Sequence, residues 1–539
     1  MSRHQDLKTK FLANRPPGKS DRLDERLPAM AAELRTVLAE TQAAFIYSTC
    51  KLEDAALDEL AVALVEFGED IHAGTGLWKA LEDYQRDFFG TALPLFLDSG
   101  EALTGKFDPR RVRHFLYILW RQLKPDHLLA PDHCDLTEIA ETAGAFLTAA
   151  FRGLPGDSAV AKFLQTPNAR GWDVKRKLVW AAEHSYLFRH QCARYLREHG
   201  SGGRDIDATD DFICQQCTDW CGLGVIDLVA GALKISEKDR ATLRGWYERH
   251  NAPYHVVEIA KRGALVETME VINVVTEQPY SIRVEMEKCP FAVGQIVIGS
   301  LVPWRGEWYW SGAQRMWQTA DAAMIAALKK QYIEKLSALS YRYCPDLAQK
   351  ARDTVREHHR QFVAHHGDDL VAFPDGLSLA AAEQARMRAM FAAKAEGIAA
   401  DVMKRHGLRN PWPKLDFPDE FLKHRDGIGA FSNPGEGVEY MLGFRHVLSA
   451  FAKRGAELTD DEAEAIRELI ESENISPAFV ERMVREHGCK AIGGAYRMRD
   501  FQKALHLAWL LRRFKGKYYR QRYPALSFAQ GTDADAPTA

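Results

Sequence analysis

No run of eighteen uninterrupted apolar residues occurs in the chain, so no segment has the length of a membrane-crossing helix. The N-terminal MSRHQDLKTKFLANRPPGKSDRLDERL is charged and lacks the apolar core of a secretory signal. Cysteine is scarce: nine residues among 539, an odd number scattered from Cys50 to Cys489, which fits a reducing compartment better than a disulfide framework. An excess of either charge is also missing. With 71 Lys and Arg against 74 Asp and Glu, the net charge of -3 sets up no global field for nucleic acid or membranes, and a polyanionic partner would need a local basic patch. These absences predict a cytoplasmic protein with no membrane partner.

Several chemistries are missing as well. The chain has no phosphate-binding P-loop, no GxGxxG fingerprint, no GxSxG elbow and no HExxH helix, and GEGVEY at 435–440 follows no strand run. Whether the protein is an enzyme is therefore left open by its motifs.

What is present describes an ordinary globular composition, 46% hydrophobic and 27% charged, in a chain long enough for two to four domains. After a charged segment over 1–27, apolar residues recur at three-four spacing from 28 to 250, as in LPAMAAELRTVLAETQAAFIY and VRHFLYILWRQL, predicting an all-helical domain. The pattern changes at 254. YHVVEIA, ALVETMEVINVV, YSIRVEM, QIVIGSLVPW and EWYWSG are β-branched and aromatic runs that predict a small five-stranded barrel over 254–317, of the OB or SH3-like kind. Helix returns over 319–406. A Pro- and Gly-rich linker is expected over 407–437, a basic helical unit over 438–528 and a disordered tail over 529–539. In the basic unit, Thr459 and Glu462 form a capping box, and Ser476 with Pro477 opens a second helix, a pair that could serve as a helix-turn-helix. The fold class is thus mainly α and multidomain, with a β-barrel insertion.

Three clusters carry candidate chemistry. LLRRFKGKYYRQRYPALSF interleaves Arg512, Arg513, Lys515, Lys517, Arg520 and Arg522 with Tyr518 and Tyr519, a pattern suited to phosphate neutralisation and ring stacking on RNA or DNA. LVPWRGEWYW adds Trp304, Arg305 and Tyr309 as a stacking surface, against the alternative that these rings fill the barrel. For metals, Cys214, Cys217 and Cys221 fall on one helix face, with Cys192 or His190 as a fourth ligand for zinc, and His358, His365 and Asp369 could form a two-histidine-one-carboxylate set. Buried small hydrophobes and a helix C-terminus account for both metal sets without any ion. Zinc is the one cofactor these residues suggest. The leading expectation is a non-enzymatic nucleic-acid-associated binding protein. A protein-interaction scaffold and a metal-dependent hydrolase are the alternatives.

Overall fold

The computed structural model describes residues 3–18, 21–45, 51–98, 100–125, 127–202, 205–317, 321–389, 415–453, 457–498, 501 and 504–524. The chain divides into two units, Met1–Tyr332 with Ala504–Lys517, and Ile333–Lys503 with Tyr518–Ala539. Among the described residues no helix is long and apolar enough to cross a membrane.

Unit 1 opens with α1 (Arg3–Ala13), α2 (Arg22–Ala43), α3 (Asp54–Ala73), α4 (Leu77–Phe89), α5 (Pro109–Leu123), α6 (Cys134–Ala150), α7 (Ala159–Leu164), α8 (Gly171–His184), α9 (Arg189–His199), α10 (Ile206–Gln215), α11 (Val225–Ala232) and α12 (Glu237–Arg244). Five strands follow: β1 (His250–Arg262), β2 (Leu265–Asn273), β3 (Pro279–Met286), β4 (Ile296–Trp304) and β5 (Glu307–Trp317), then α13 (Ala322–Lys335). Unit 2 holds α14 (Ser337–Tyr343), α15 (Pro345–His366), β6 (Leu370–Phe373), α16 (376–389), α17 (Asp419–Lys423), β7 (Ile428–Asn433), β8 (Gly437–Leu442), α18 (Phe444–Ala452), α19 (Asp460–Glu471), α20 (Pro477–His487) and α21 (Lys490–Ala495). Helix α22 (Ala504–Phe514) returns to unit 1.

The mainly α character with a sheet insertion agrees with the sequence, while β6 and β8 are strands in stretches expected to be helical, because long-range pairing with β7 decides them, and three further segments differ. The charged N-terminal segment forms α1 and buries Leu7 and Phe11, which its polar neighbours masked in a composition reading. Within 407–437, residues 407–414 lie outside the described set, and the rest includes α17 and β7, whose residues are all buried. The C-terminal basic unit is split, because α22 belongs to unit 1 and residues from Tyr518 onward to unit 2. The tail over 529–539 lies outside the described residues.

Local chemistry explains the helix starts. Asp108 accepts the Arg110 N–H and places Pro109 at the first helical position of α5. The expected caps of α19 and α20 are present at Thr459 with Glu462 and at Ser476. Hydrogen bonding links the strands of unit 1 in the order β1-β2-β3-β5-β4, and β4 pairs back onto β1. All pairs are antiparallel except the short parallel contact of β3 with β5 at Ile282 and Trp308. Helix α13 covers Val274 and Ile296 with Leu328 and Ile325. In unit 2, β6, β7 and β8 form a three-stranded antiparallel sheet, and α15 supplies Phe362 to the core beside Ile428 and Ala430.

Helix α22 meets the 217–223 loop of unit 1 through two glycines. A side chain at Gly222, whose φ is +69°, would sit 2.0 Å from the Arg512 carbonyl oxygen and 2.7 Å from the Gly516 Cα. Only glycine fits such an approach.

Candidate functional site

The aromatic cluster turns inward. Trp304 is fully buried and donates its indole N–H to the Asn168 carbonyl at 3.0 Å, while Tyr309 is 3% exposed and packs its ring on Gly171 and Trp172. Arg305, in a left-handed backbone conformation, pairs with Asp239 at 2.8 Å. These residues join the sheet to the helices of the same unit and do not form the expected stacking surface, because two rings of this size bury more favourably than they solvate. Alternation along a strand sets Trp308 and Trp310 of β5 on the face opposite Tyr309. The structure agrees, with Trp308 against Tyr280 and Trp310 against Tyr254.

The basic run is shared out in the same inward manner. In unit 1, Arg512 lies over the Phe88 ring with its guanidinium carbon 3.3 Å from the centroid, Arg513 is 4% exposed, Lys515 is fully buried and Lys517 is half-buried. In unit 2, Arg522 pairs with Glu436 at 2.7 Å and covers the Tyr518 ring, Tyr518 donates to the Glu473 carbonyl, Arg520 is half-buried and Tyr519 is exposed. The run therefore does not present six cations to one polyanion. On α20, Arg482 is engaged by Asp368, Asp369 and Glu486.

Neither expected metal set gathers. Helix α10 ends at Gln215, so Cys217 and Cys221 lie beyond it and cannot share its face with Cys214. Cys214 and Cys221 are buried, and burial pushes the Cys221 thiol up to about 12 although Arg512 and Arg513 oppose that shift. Cys192 is also buried, and His190 bonds to Glu59. His358 and His365 lie on α15, but Asp369 is held by Arg482 at 2.9 Å.

Two constellations in unit 1 have no counterpart in the sequence reading. The first is built on one face of α3. Glu69 takes both guanidinium nitrogens of Arg15 at 2.7 Å, and Asp24 takes one of them as well. Arg189 bridges Glu59 and Glu66, and Asn14 donates to Glu66 at 2.9 Å. Among the described residues no cation pairs with Asp70. It accepts from Thr75 Oγ1, from the Gly76 and Trp78 amides at 2.9 and 2.7 Å, and from the Tyr186 hydroxyl at 2.7 Å, while burial pushes its carboxyl upward. A small cavity of about 20 Å³ lies among these groups. Each of the three carboxylates on its wall is matched by a guanidinium or by several donors, so the network works as a clasp that binds α1, α3 and α9 together.

The second constellation is unmatched. Arg513 sits among the rings of Phe514, Trp509 and Tyr117, with its guanidinium carbon 4.9, 5.3 and 5.6 Å from their centroids. Its Nε and Nη2 have no hydrogen-bond partner, and among the described residues no carboxylate pairs with it. The indole nitrogens of Trp120 and Trp509 and the Nδ1 atoms of His114 and His127 are likewise buried without partners. Arg513, Trp120, His127, Tyr117 and Arg121 share with Leu128 and Leu129 the wall of a small cavity of about 10 Å³, room for a single water-sized sphere. No acid lines it among the described residues. His114 lies behind this wall, 6.3 Å from Trp509 between ring centroids, with its Nε2 3.2 Å from the Gln85 amide nitrogen. Burial, with a smaller contribution from the Arg513 charge, holds its imidazole down at about 3, so the ring is neutral.

A signal for this site existed. Arg513 falls four residues after Trp509 on α22 and so shares the helix face that goes inside.

Residues 11–209 match a family described as "Protein of unknown function (DUF3843)". No curated protein and no solved structure matches the chain. The matched segment covers less than half of the chain. It holds the whole α3 clasp and the chamber wall from Tyr117 to Leu129, while Arg513 comes from outside it.

Proposed function

We propose that this chain is a non-enzymatic binding protein for a compact anion, seated in the Arg513 chamber. The observation that carries the reading is a guanidinium only 4% exposed, with two donor nitrogens unused and, among the described residues, no acid beside it. A buried charge without a counter-charge costs several kcal/mol, on the order of 3–5 where one partner of a pair is removed. Ring contacts return only about 0.5–2 kcal/mol of that. Water could accept from the orphaned N–H groups, but it would leave the charge uncompensated. A guanidinium with free N–H donors, beside a space of about 10 Å³, selects a halide or a single carboxylate oxygen of a small acid over a nucleotide or a polyphosphate.

The expected nucleic-acid association keeps partly exposed Lys517 in unit 1, and Arg520 with Tyr519 in unit 2, as its contacts. It loses Arg513, Lys515, Trp304 and Tyr309 to the interior, which is why the compact anion is the preferred ligand. We read the inserted sheet as OB-like, a reading supported by its strand order and the parallel contact of β3 with β5.

Thermal melting at constant ionic strength in chloride, formate or phosphate, with a bulky sulfonate as reference, tests the proposal. Chloride or formate should raise the Tm saturably, and Arg513→Met should abolish the rise. An equal rise in the variant would reduce the effect to general salt stabilisation and overturn the reading.

A further inference from the structure

The N-terminus of α6 carries a different donor set. Asp132, His133, Cys134 and Asp135 follow Pro131 through a turn, and the helix begins at Cys134. His133 caps it, its Nδ1 accepting the Asp135 N–H at 3.2 Å. Single ligand atoms from His133, Cys134 and Asp135 lie within 4.8 Å of one another, and among the described residues this is the one His, Cys, Asp and Glu group that converges so closely.

Proximity along a turn is not enough for a site, but the Asp135 carboxylate adds a second observation. The residue is 8% exposed, its Oδ1 accepts from the Cys134 thiol at 3.4 Å, and its Oδ2 is buried with no hydrogen-bond partner. One oxygen of this buried carboxylate meets the thiol, and the other is left without a partner. The helix N-terminus supplies a partial charge, and its Asp135 amide is already taken by the His133 cap. The cation facing this turn is Arg113, which donates to Thr137 Oγ1 at 3.0 Å and feels Asp132 and Glu141. With Asp132, Asp135 and Glu141 set against one guanidinium, local charge stays favourable to a cation.

We propose that His133, Cys134 and Asp135 form a divalent-metal site of the zinc class, independent of the anion chamber. Sulfur, imidazole nitrogen and carboxylate oxygen together favour zinc(II) over calcium or magnesium, which take oxygen alone. On binding, the Cys134 S–H bond breaks, its proton leaves to solvent and the sulfur electron pair forms the bond to the metal. No oxidant or reductant is needed. Three protein ligands leave one tetrahedral position for water. Cys134 is exposed, so the ion has a path in.

The test uses the full chain, stripped with chelator and titrated with cobalt(II) and with zinc(II) against a chromophoric competitor. One equivalent should bind and produce the thiolate-to-cobalt charge-transfer band. Cys134→Ser should erase the band with unchanged circular dichroism, Asp135→Asn should weaken binding at least about tenfold, and Cys217→Ser should change neither. No band in the natural protein, or a band retained in Cys134→Ser, would overturn the assignment.

Discussion

Trp509 and Arg513 stand one turn apart on α22, with the guanidinium carbon 5.3 Å from the indole centroid, and both side chains are buried in unit 1. A cation on the apolar face of a helix reverses the usual arrangement, in which long charged side chains carry their heads to water. The surrounding rings are too apolar to replace that water, which makes the chamber a place where a small anion gains most from binding.

His114 gives the chamber a signature in pH. Its folded-state value of about 3 lies below the ordinary histidine value, so the unfolded chain takes up a proton that the folded chain refuses. The stability this neutral ring contributes is complete above the unfolded value and is lost as pH falls from there towards 3. Between about pH 6 and pH 4 the loss should be about 2 kcal/mol from this residue alone. Urea denaturation of the natural protein and of His114→Gln across that window checks it, and the variant should show the shallower fall.

Arg15 clasps α3 from the N-terminal segment. Both of its N–O contacts with Glu69 are 2.7 Å, and the pair is buried. Arg15→Met leaves Glu69 and Asp24 without their shared cation and should cost about 3–5 kcal/mol. Chemical denaturation measures the loss. A change below 1 kcal/mol would show that the clasp is dispensable.

Gly222 should tolerate no side chain. Gly222→Ala places a Cβ against the Arg512 carbonyl at a φ of +69° and should destabilise on the order of 3 kcal/mol by displacing the end of α22. Hydrogen exchange should then rise in α22 and in the 217–223 loop, while β7 and β8 of unit 2 stay protected.

Periodicity made much of this fold legible. The helical run before residue 250, the five strands, and the caps at Thr459 and Ser476 all follow from spacing and turn chemistry. The site residues were harder to see. Glu66, Glu69 and Asp70 share one face of α3, yet acids in a helix ordinarily mean solvent; the arrival of Arg189 and Arg15 from distant positions explains the burial of Glu66 and Glu69, and the donors of Thr75, Gly76, Trp78 and Tyr186 that of Asp70. The run over 512–522 read as a surface because charge density ignores which helix face each cation occupies. Trp304 and Tyr309 offered the choice between stacking and filling, and long-range packing against α8 decided it. His133, Cys134 and Asp135 form no spaced motif, since all three lie within one turn.

The most direct test of the central claim is isothermal calorimetry of the intact protein with chloride and with formate, beside the same titrations of Arg513→Met. The account predicts saturable one-site binding of at least one of the two anions by the natural protein and none by the variant. Absence of saturable binding of either anion to the natural protein, or equal binding by Arg513→Met, would contradict it.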